Sequence, residues 1–468
     1  MSATAKVNTQ ASVGVIGGGL AGLAAACALA EAGYKVTLFE RRGFLGGRAS
    51  SYELPGTGEV VDNCQHVLLG CCTNLRDFYH RLGVEDKVRW YRRITFVAPG
   101  GASGVIEPSF PPAPLHSAIS FLRFNLLSLA DKAGIARVLL SLLSGVPEDS
   151  GEDFLTWLRR KGQTQAAIDR FWAPVLISSL NEELDKSSVK YAAMVFREAF
   201  LKSAEAGAMG VSTVPLSELY GGAGGYITAR GGEVMLRTGI DGVECGEDRV
   251  RLRSGERELS FDYAVSALPF HTLGRILPTG AEADELREKA AGLRSVPITG
   301  IHLWFDREIT PRAHAALLDR TIQWMFQKSK ILARGAKGEG SYLELVVSSS
   351  KSLLEMSRTE IIELAVRELQ EFFPAAREAK LLKATVVKEV HATFAPAPLS
   401  DASRLSPATP WPRFFLSGDW TITGWPSTME GAVRSGYLSA EAVAHATGDE
   451  RRFLVADLAP RGLMRIFG

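Results

Sequence analysis

Three glycines near the start of the chain have the spacing of a phosphate-binding turn. Gly17, Gly19 and Gly22 form a Gly-x-Gly-x-x-Gly pattern between an apolar strand candidate and an Ala-rich helix candidate. The first glycine allows a tight turn, the second lets the backbone approach a pyrophosphate, and the third lets helix and strand pack closely. Leu20 and Ala21 open the helix, whose N-terminus attracts negative charge. The pattern predicts a dinucleotide site; a glycine-rich turn without function is the alternative.

An acidic residue lies where such a site needs one. Glu40 follows Gly22 by eighteen residues and ends a second strand candidate that begins at Lys35. A carboxylate at this position can hydrogen-bond ribose hydroxyls. Strand, turn, helix and acidic residue therefore occur in the order that dinucleotide binding requires, which a glycine pattern alone would not establish.

A second glycine-rich segment follows Glu40 directly and contains Arg41, Gly46, Gly47 and Arg48. An arginine beside two flexible glycines can reach back to the same pyrophosphate with a forked, charge-assisted contact. A nicotinamide-binding fold does not need this second turn, so the segment favours a flavin dinucleotide. A solvated basic loop is the alternative.

The third constellation lies near the other end of the chain. A short apolar strand candidate leads into Gly418 and Asp419, and Ser427 and Thr428 precede a helix that begins near Met429. The aspartate can bind ribityl hydroxyls or phosphate-linked oxygens, and the amides at the start of the helix can face a flavin ring, where reduction places negative charge. An ordinary helix cap is the alternative. Folding would then join the two ends of the chain into one cofactor site.

The elements that must position these groups follow from hydrophobic periodicity and from Gly and Pro punctuation. Strands are predicted at 13–16, 35–40, 233–244, 258–267, 298–305, 341–349 and 414–416. Helices are predicted at 20–32, 73–83, 359–373 and 429–446, and through most of 116–206. Dense Pro and Gly between about residues 95 and 115 predict a hairpin-like excursion.

Composition argues against several classes of function. The chain of 468 residues has a formal net charge of +1, so nothing favours nucleic acid as a partner. Its five cysteines have no Cys-x-x-Cys pair and no zinc-site spacing, so we expect no metal and a reduced, cytoplasmic location. The first eleven residues lack the apolar core of a secretory signal. We expect no membrane span, although a peripheral position on the inner face of the cell membrane stays open.

Taken in this order, the three constellations resemble those of the amine oxidase and phytoene desaturase superfamily of flavoproteins. The resemblance spans nearly the whole chain and implies FAD as the cofactor. The implied FAD contacts are Gly17, Gly19, Leu20, Ala21, Gly22, Glu40, Arg41, Gly46, Gly47, Arg48, Gly418, Asp419, Ser427, Thr428 and Met429. The resemblance also implies that residues 233–240 form a strand pair on the adenine, which Ile240 contacts through its main chain.

The fold expected from this resemblance is α/β, with a split Rossmann-type FAD-binding domain and a second, mixed α+β substrate domain. We expect the FAD-binding domain to comprise residues 12–97, 228–297 and 408–447. The stretches between them, 98–227 and 298–407, are expected to build the substrate-binding domain.

A closer resemblance lies in the run Asp-Asn-Cys-Gln-His-Val-Leu-Leu-Gly from Asp62 to Gly70. It is similar to the family of hydroxysqualene dehydroxylases, also called squalene-associated FAD-dependent desaturases. The segments 417–420 and 424–432 match the same family. Cys64 stands where the family pattern has Gly, and it would strain the turn if that glycine needs a positive φ.

This resemblance implies reduction of hydroxysqualene, an allylic alcohol, to squalene. Loss of the hydroxyl gives a resonance-stabilised cation, to which a reduced flavin delivers hydride. The protein must supply an acid, exclude water and hold a C30 isoprenoid, and an unidentified donor must reduce the flavin. His66 and Asp62 are candidates for the acid because they lie in the run expected near the flavin, and Tyr226 is a weaker one. A hydrogen-bonded structural histidine is the alternative for His66.

A C30 hydrocarbon must come from a membrane. Residues 119–143 are rich in Leu and Phe with interspersed basic residues, which is typical of a helix lying on a membrane surface. On this interpretation Leu126 and Leu127 would contact lipid. Helices packed on the core of the substrate domain are the alternative.

Two other activities stay open. A carotenoid-type desaturase or isomerase would oxidise a polyene instead of reducing an alcohol. A flavin amine oxidase would have an aromatic cage at the flavin and would release peroxide with amines.

Overall fold

The structure is a computed structural model that describes residues 10–333 and 340–467. The strands are β1 (Ser12–Ile16), β2 (Lys35–Glu40), β3 (Ser51–Glu53), β4 (Val60–Asp62), β5 (Val67–Leu69), β6 (Val88–Tyr91), β7 (Ile94–Val97), β8 (Ser103–Ile106), β9 (Met209–Ser212), β10 (Glu233–Leu236), β11 (Gly242–Cys245), β12 (Val250–Ser254), β13 (Arg257–Phe261), β14 (Tyr263–Ser266), β15 (Ser295–Phe305), β16 (His314–Leu317), β17 (Trp324–Gln327), β18 (Ser341–Ser348), β19 (Leu381–Phe394) and β20 (Phe414–Leu416). The α-helices are α1 (Leu20–Glu31), α2 (Thr73–Leu82), α3 (Ala118–Arg123), α4 (Leu129–Ser141), α5 (Phe154–Arg160), α6 (Gln165–Ala167), α7 (Ala173–Leu180), α8 (Val189–Val195), α9 (Leu216–Tyr220), α10 (Gly222–Thr228), α11 (Phe270–Leu273), α12 (Ala281–Ala291), α13 (Lys328–Ile331), α14 (Arg358–Phe372) and α15 (Met429–Ala446).

A parallel five-stranded sheet carries the first glycine-rich turn. Its strand order is β10–β2–β1–β14–β20, and every neighbouring pair runs parallel. The strands come from three stretches of chain that are far apart in sequence: 12–40, 233–266 and 414–416. The predicted α/β class with a split Rossmann-type domain is confirmed.

Helix α1 is buried almost completely, which explains its alanine-rich sequence. It packs on β1 and β2 and along α15, and every residue from Leu20 to Ala30 is buried. At the closest approach of the two helices, a Cβ on Gly436 would lie 2.4 Å from the Ala21 carbonyl oxygen. Small side chains therefore let α15 bring the C-terminal part of the chain against the N-terminal turn.

Two of the predicted strands are each divided between different sheets. β10 ends at Leu236, Arg237 has a left-handed φ of 55°, and the chain re-enters strand structure as β11 of the separate sheet β11–β12–β13. Ile240 is buried in this connection. The prediction of one strand over 233–244 is therefore wrong, and 258–267 is similarly split between β13 and β14. The segments before and after each break both have the hydrophobic pattern of a strand. Periodicity alone therefore does not show where one strand ends and the next begins.

A seven-stranded sheet forms the second layer, in the order β19–β15–β18–β17–β16–β7–β8. Its longest strand, β19, pairs antiparallel with β15 and was not predicted. Much of β19 is only half-buried and it carries charged residues such as Lys383 and Lys388, which hide its strand pattern. Helix α14 confirms the prediction at 359–373, and Ser357 and Glu360 form a capping box at its start.

The predicted helical region is confirmed by α3 to α8, whose aromatic residues build a separate core. Phe154, Phe171, Trp172 and Phe196 contact one another edge-on or stacked. Within residues 10–333 and 340–467, no helix is both long and apolar enough to cross a membrane.

The same helical region corrects one expectation about lipid contact. Leu126 and Leu127 are 9% and 6% exposed and belong to the aromatic core. They cannot contact lipid in this fold, whereas their neighbours Leu122 and Leu129 are 63% and 76% exposed.

Candidate functional site

The first glycine-rich turn lies between the end of β1 and the start of α1. Gly17 has a φ of 105°, and its amide donates to the Phe39 carbonyl at 2.8 Å. A Cβ at Gly22 would lie 1.9 Å from the Gly17 carbonyl oxygen, so only glycine fits there. No side chain in the described part of the chain caps α1 at Gly19. The first amides of α1 are thus left for a ligand, as an anion site at a helix N-terminus requires.

Glu40 fixes this turn from the end of β2. Its Oε2 accepts from the Gly18 amide and its Oε1 from the Arg42 amide, both at 2.7 Å. A carboxylate oxygen can accept more than one hydrogen bond, so this arrangement also suits a ribose hydroxyl. Arg41, the next residue, is exposed at the same edge of the sheet.

The second glycine-rich turn packs directly on the first. The Gly46 amide donates to the Gly18 carbonyl at 2.8 Å. Gly47 has a φ of 62°, and a Cβ there would lie 2.8 Å from the Gly19 Cα. The sequence prediction that both turns serve one place in the molecule therefore matches their positions.

Arg48 extends from the second turn to the C-terminal part of the chain. Its Nη2 lies 2.5 Å from Asp419 Oδ1, and its Nη1 donates to the Ala392 carbonyl in β19 at 2.5 Å. The other oxygen of Asp419 accepts from the Ser427 hydroxyl. The arginine thus connects the five-stranded sheet, the seven-stranded sheet and the segment before α15, instead of turning back to the first glycine turn.

The start of α15 is built by Gly418 and two residues predicted for the site. Gly418 has a φ of 148°, and a Cβ there would lie 2.2 Å from the Trp420 indole nitrogen. The Thr428 hydroxyl caps α15 by accepting from the Gly431 amide at 3.0 Å. Met429 begins the helix, and its sulfur accepts from the Tyr220 hydroxyl at 3.3 Å.

The run from Asp62 to His66 connects β4 with β5 and lies against this assembly. The Asn63 side chain donates to the Arg48 carbonyl at 3.2 Å and to Glu389 of β19 at 3.1 Å. Cys64 is buried and does not have a positive φ. The expected strain from cysteine in place of glycine therefore does not arise.

A buried ion pair holds this run in place. The ammonium of Lys328 is 2.9 Å from Asp62 Oδ2 and donates to Gln65 Oε1 at 2.8 Å. Asp62 Oδ1 also accepts from the Ser51 hydroxyl at 2.7 Å and from the Leu216 amide at 3.0 Å. Burial alone would raise the pKa of Asp62, but Lys328 and these hydrogen bonds lower it below its ordinary value. Asp62 is therefore an ionised anchor, which does not suit a general acid.

Two further titratable groups face the same ammonium from the seven-stranded sheet. Glu344 is fully buried, and its Oε2 lies 3.2 Å from Lys328 Nζ. Burial raises the pKa of Glu344 to about 7. Burial and the charge of Lys328 lower the pKa of His302 to about 4, and its Nδ1 pairs with the Tyr342 hydroxyl at 2.9 Å. Lys328 thus contacts two carboxyl groups: Asp62, whose pKa is lowered, and Glu344, whose pKa lies near neutrality.

His66 lies at the end of the anchored run. Its Nδ1 is 2.7 Å from the Cys64 carbonyl, so this nitrogen carries the proton in the neutral ring. Burial lowers the pKa of His66. The remaining nitrogen, Nε2, has no hydrogen bond to any described residue and can pair with a ligand.

Tyr226 is separate from these groups. Its hydroxyl donates to Glu31 at the C-terminal end of α1, and Arg230 stacks on its ring at 3.5 Å. The opposite end of α1, about 16 Å away along the helix axis, holds the glycine turn. This position does not support the expectation that Tyr226 acts as an acid.

Sequence reasoning missed Lys328, Glu344 and His302. The two strand residues carry a usable signal, because each interrupts a run of apolar residues in a buried strand, β15 or β18. A charged or polar residue within such a run needs a partner. The identity of the partner depends on which strands become neighbours.

The split parallel sheet and the paired glycine turns define a dinucleotide-binding flavoprotein. Residues 20–444 match the family described as flavin containing amine oxidoreductase. The chain belongs to this family, and its cofactor is FAD. The uncapped helix start and the glycine positions that exclude a Cβ fit the pyrophosphate of that cofactor.

The chain is also similar to individual proteins of known name. It is 27% identical to a 15-cis-phytoene desaturase of Synechococcus elongatus, covering 92% of this chain and 95% of the relative. It is 28% identical to a zeta-carotene desaturase of Zea mays, covering 91% and 82% respectively. An oxidoreductase from Methanosarcina mazei has a TM-score of 0.71 at 18% identity, covering 91% of this chain and 98% of that one. A triple mutant of putrescine oxidase has a TM-score of 0.70 at 16% identity, covering 92% and 98%.

Proposed function

We propose that this chain reduces hydroxysqualene to squalene. The run from Asp62 to His66 has a sequence that resembles hydroxysqualene dehydroxylases. The observation that carries the proposal is the position of this run in the structure. Asn63 connects this run to Arg48 beside the glycine turns, and Lys328 holds it through the ion pair with Asp62. These contacts support a position for the run beside the residues proposed to hold FAD.

The residues proposed to hold FAD fall into three groups by position. The pyrophosphate would lie on the first turn and the amides of α1, the adenosine ribose at the end of β2, and the ribityl chain and ring near the start of α15. The corresponding residues are Gly17, Gly19, Leu20, Ala21, Gly22, Gly46 and Gly47; Glu40, Arg41 and Ile240; and Arg48, Gly418, Asp419, Ser427, Thr428 and Met429. In its reduced form the bound cofactor supplies a hydride, and an external donor must restore that form.

The reaction requires one proton as well as the hydride, because the hydroxyl leaves as water. His66 is the group that we propose to hydrogen-bond this hydroxyl, through Nε2. Asp62 is a positioning residue in this proposal, since Lys328 keeps it ionised. Tyr226 has no part in it.

A carotenoid-type desaturase is the second candidate function. The relatives named as phytoene and zeta-carotene desaturases support it, because they cover more than nine-tenths of this chain. Both candidates act on a long linear isoprenoid, so they share a substrate class. They differ in direction: the first reduces an allylic alcohol, and the second removes hydrogen from a polyene.

The test starts from purified protein loaded with FAD. Photoreduced protein is mixed with hydroxysqualene without oxygen, and oxidised protein is mixed with phytoene in a parallel sample. Flavin absorbance and products by mass spectrometry are followed in both. Flavin reoxidation together with squalene formation supports the dehydroxylase. Flavin reduction by phytoene with a desaturated product would replace it by the desaturase.

An amine substrate, with oxygen uptake as the readout, serves as a third arm. Turnover of the amine with neither isoprenoid reacting would contradict both proposals. The His66→Ala variant, tested in the first arm, links any observed reaction to the run from Asp62 to His66.

A further inference from the structure

A surface cavity of about 340 Å³ lies between the residues before α3 and the C-terminal segment. It is lined by Pro112, His116, Glu205, Arg461 and Gly462, with Arg92 at its edge. None of these residues belongs to the two glycine turns or to the segment before α15. The cavity is therefore a second place in the molecule where a ligand can bind.

The cavity carries more positive than negative charge. Arg92 is exposed and has no ion pair or hydrogen bond within residues 10–333 and 340–467. Arg461 lies 3.3 Å from Glu205, and the same carboxylate is 3.2 Å from Arg76. Arg461 and Arg76 thus share one carboxylate, while Arg92 has no counter-ion among the described residues. Such an excess favours an anion that can accept several hydrogen bonds, as a phosphate does.

His116 adds an unpaired polar group to the lining. It is 5% exposed, and its Nδ1 has no hydrogen-bond partner among the described residues. Burial and the nearby charge of Arg92 lower the pKa of His116, which favours the neutral ring. A buried polar atom without a partner carries a free-energy cost that a hydrogen-bonding ligand would remove.

Exposed apolar residues lie close in the chain to the residues that line this cationic cavity. Phe110 and Leu115 are 90% and 47% exposed on one side, and Leu463 and Ile466 are 45% and 76% exposed on the other. The two sides form one surface, because the Leu463 amide donates to the Ala113 carbonyl at 2.8 Å. Single exposed apolar residues are common, but a group of them around a cationic cavity is typical of a surface that docks on lipid.

We propose that this cavity binds the phosphate of an anionic phospholipid headgroup while the neighbouring apolar residues enter the interface. The exposed apolar residues beside the charged cavity favour a phospholipid over a free phosphate ion. A free phosphate ion would contact the arginines and His116 but would leave Phe110 and Ile466 in water. The proposal goes beyond the redox reaction and does not depend on which isoprenoid is the substrate.

The experiment uses the full chain loaded with FAD and sedimentation with vesicles. Binding to vesicles of phosphatidylcholine with phosphatidylglycerol is compared with binding to phosphatidylcholine alone. We expect the anionic vesicles to bind more tightly, with affinity falling as salt is added. Arg92→Glu reverses one charge at the cavity and is expected to weaken binding by about tenfold or more. Phe110→Asp is expected to weaken it as well.

Two matched variants control for general changes of charge and apolar surface. Leu382, on β19, is 58% exposed, so Leu382→Asp changes an exposed apolar residue elsewhere. Arg257→Glu reverses an exposed arginine on β13. Both variants should bind vesicles as the unaltered protein does, and thermal unfolding of all four variants checks that they fold.

Three results would overturn the proposal. Equal binding to both kinds of vesicle, or binding unaffected by Arg92→Glu and Phe110→Asp, would show that this surface does not recognise an anionic lipid. Calorimetric binding of inorganic phosphate that depends on Arg92, without binding of vesicles, would make the cavity a site for a free anion. None of these results involves turnover, so failure of the proposed reaction is distinguishable from failure of this proposal.

Discussion

Arg48 and Asp419 are 371 positions apart in the chain, and their side chains meet in an ion pair with 2.5 Å between Nη2 and Oδ1. Asp419 is buried, while about a third of the Arg48 side chain is exposed, at 35%. The pair closes the site between the N-terminal turns and the start of α15. The ion pair holds the second glycine-rich turn and the segment before α15 together where the cofactor is proposed to bind.

Loss of either member of this pair should weaken FAD binding. Arg48→Met leaves the buried carboxylate of Asp419 without its cation, and we expect FAD affinity to fall by roughly 1–2 kcal/mol, because exposure of the arginine reduces the effect. The ratio of flavin to protein absorbance after dialysis measures it. Arg251→Met, which breaks the exposed pair with Glu244 in the antiparallel sheet, is the control. If Arg48→Met retains FAD as well as this control does, the pair has no role in the cofactor site.

A Cβ at Gly22 should abolish the turn. Gly22→Ala places a methyl group 1.9 Å from the Gly17 carbonyl oxygen, so strand and helix must separate. We expect a loss of roughly 3 kcal/mol or more of stability and no bound FAD. Gly225→Ala is the matched control, because Gly225 is helical and has nothing within 4 Å of its Cβ position. That variant should gain up to about 1 kcal/mol from better helix propensity and should keep its flavin.

Much of this site could be predicted from sequence because its first half is local. A strand, a glycine turn, a helix and a carboxylate at Glu40 follow one another within thirty residues, and each is specified by its neighbours. The partner of Arg48 could not be predicted, since Asp419 and Ala392 reach it only through tertiary structure. The same holds for Lys328, which no local pattern distinguishes from a surface lysine. Its environment depends on β4 and β18 lying on either side of it.

Removal of the buried cation should be strongly destabilising. Lys328→Met leaves Asp62 buried without its counter-ion, a change that typically costs about 3–5 kcal/mol. The double variant Lys328→Met with Asp62→Asn removes both charges and keeps a polar group for Ser51, so it should recover part of this loss. Denaturant unfolding of the two single variants and the double variant measures the coupling. Simple addition of the two single effects would mean that the pair is not a unit.

The fully buried Glu344 should make stability depend on pH near neutrality. Its pKa is raised from 4.5 to about 7, so between these values the unfolded chain releases a proton that the folded chain keeps. Stability therefore falls as pH rises through this window, by roughly 3 kcal/mol when complete, and the loss is absent below it. Glu344→Gln imitates the protonated form and lacks this dependence.

Unfolding of Glu344→Gln and of the unaltered protein at about pH 5 and about pH 8 tests this directly. The variant should gain stability relative to the unaltered protein at the higher pH, where the latter must bury a net negative charge around Lys328. Parallel stability curves for the two proteins would show that Glu344 does not titrate in the folded protein within this window.

His66 gives a prediction that separates catalysis from structure. Its Nδ1 pairs with the Cys64 carbonyl, and burial lowers its pKa. If it protonates the leaving hydroxyl, the single-turnover rate must rise as pH falls towards its pKa. His66→Ala should then slow that step by about 10²–10⁴-fold and remove the pH dependence. His391→Ala, at an exposed histidine of β19, is the control. A slower variant that keeps the pH profile would show that His66 only holds the 62–66 run in place, because a structural histidine affects the rate without contributing its own titration.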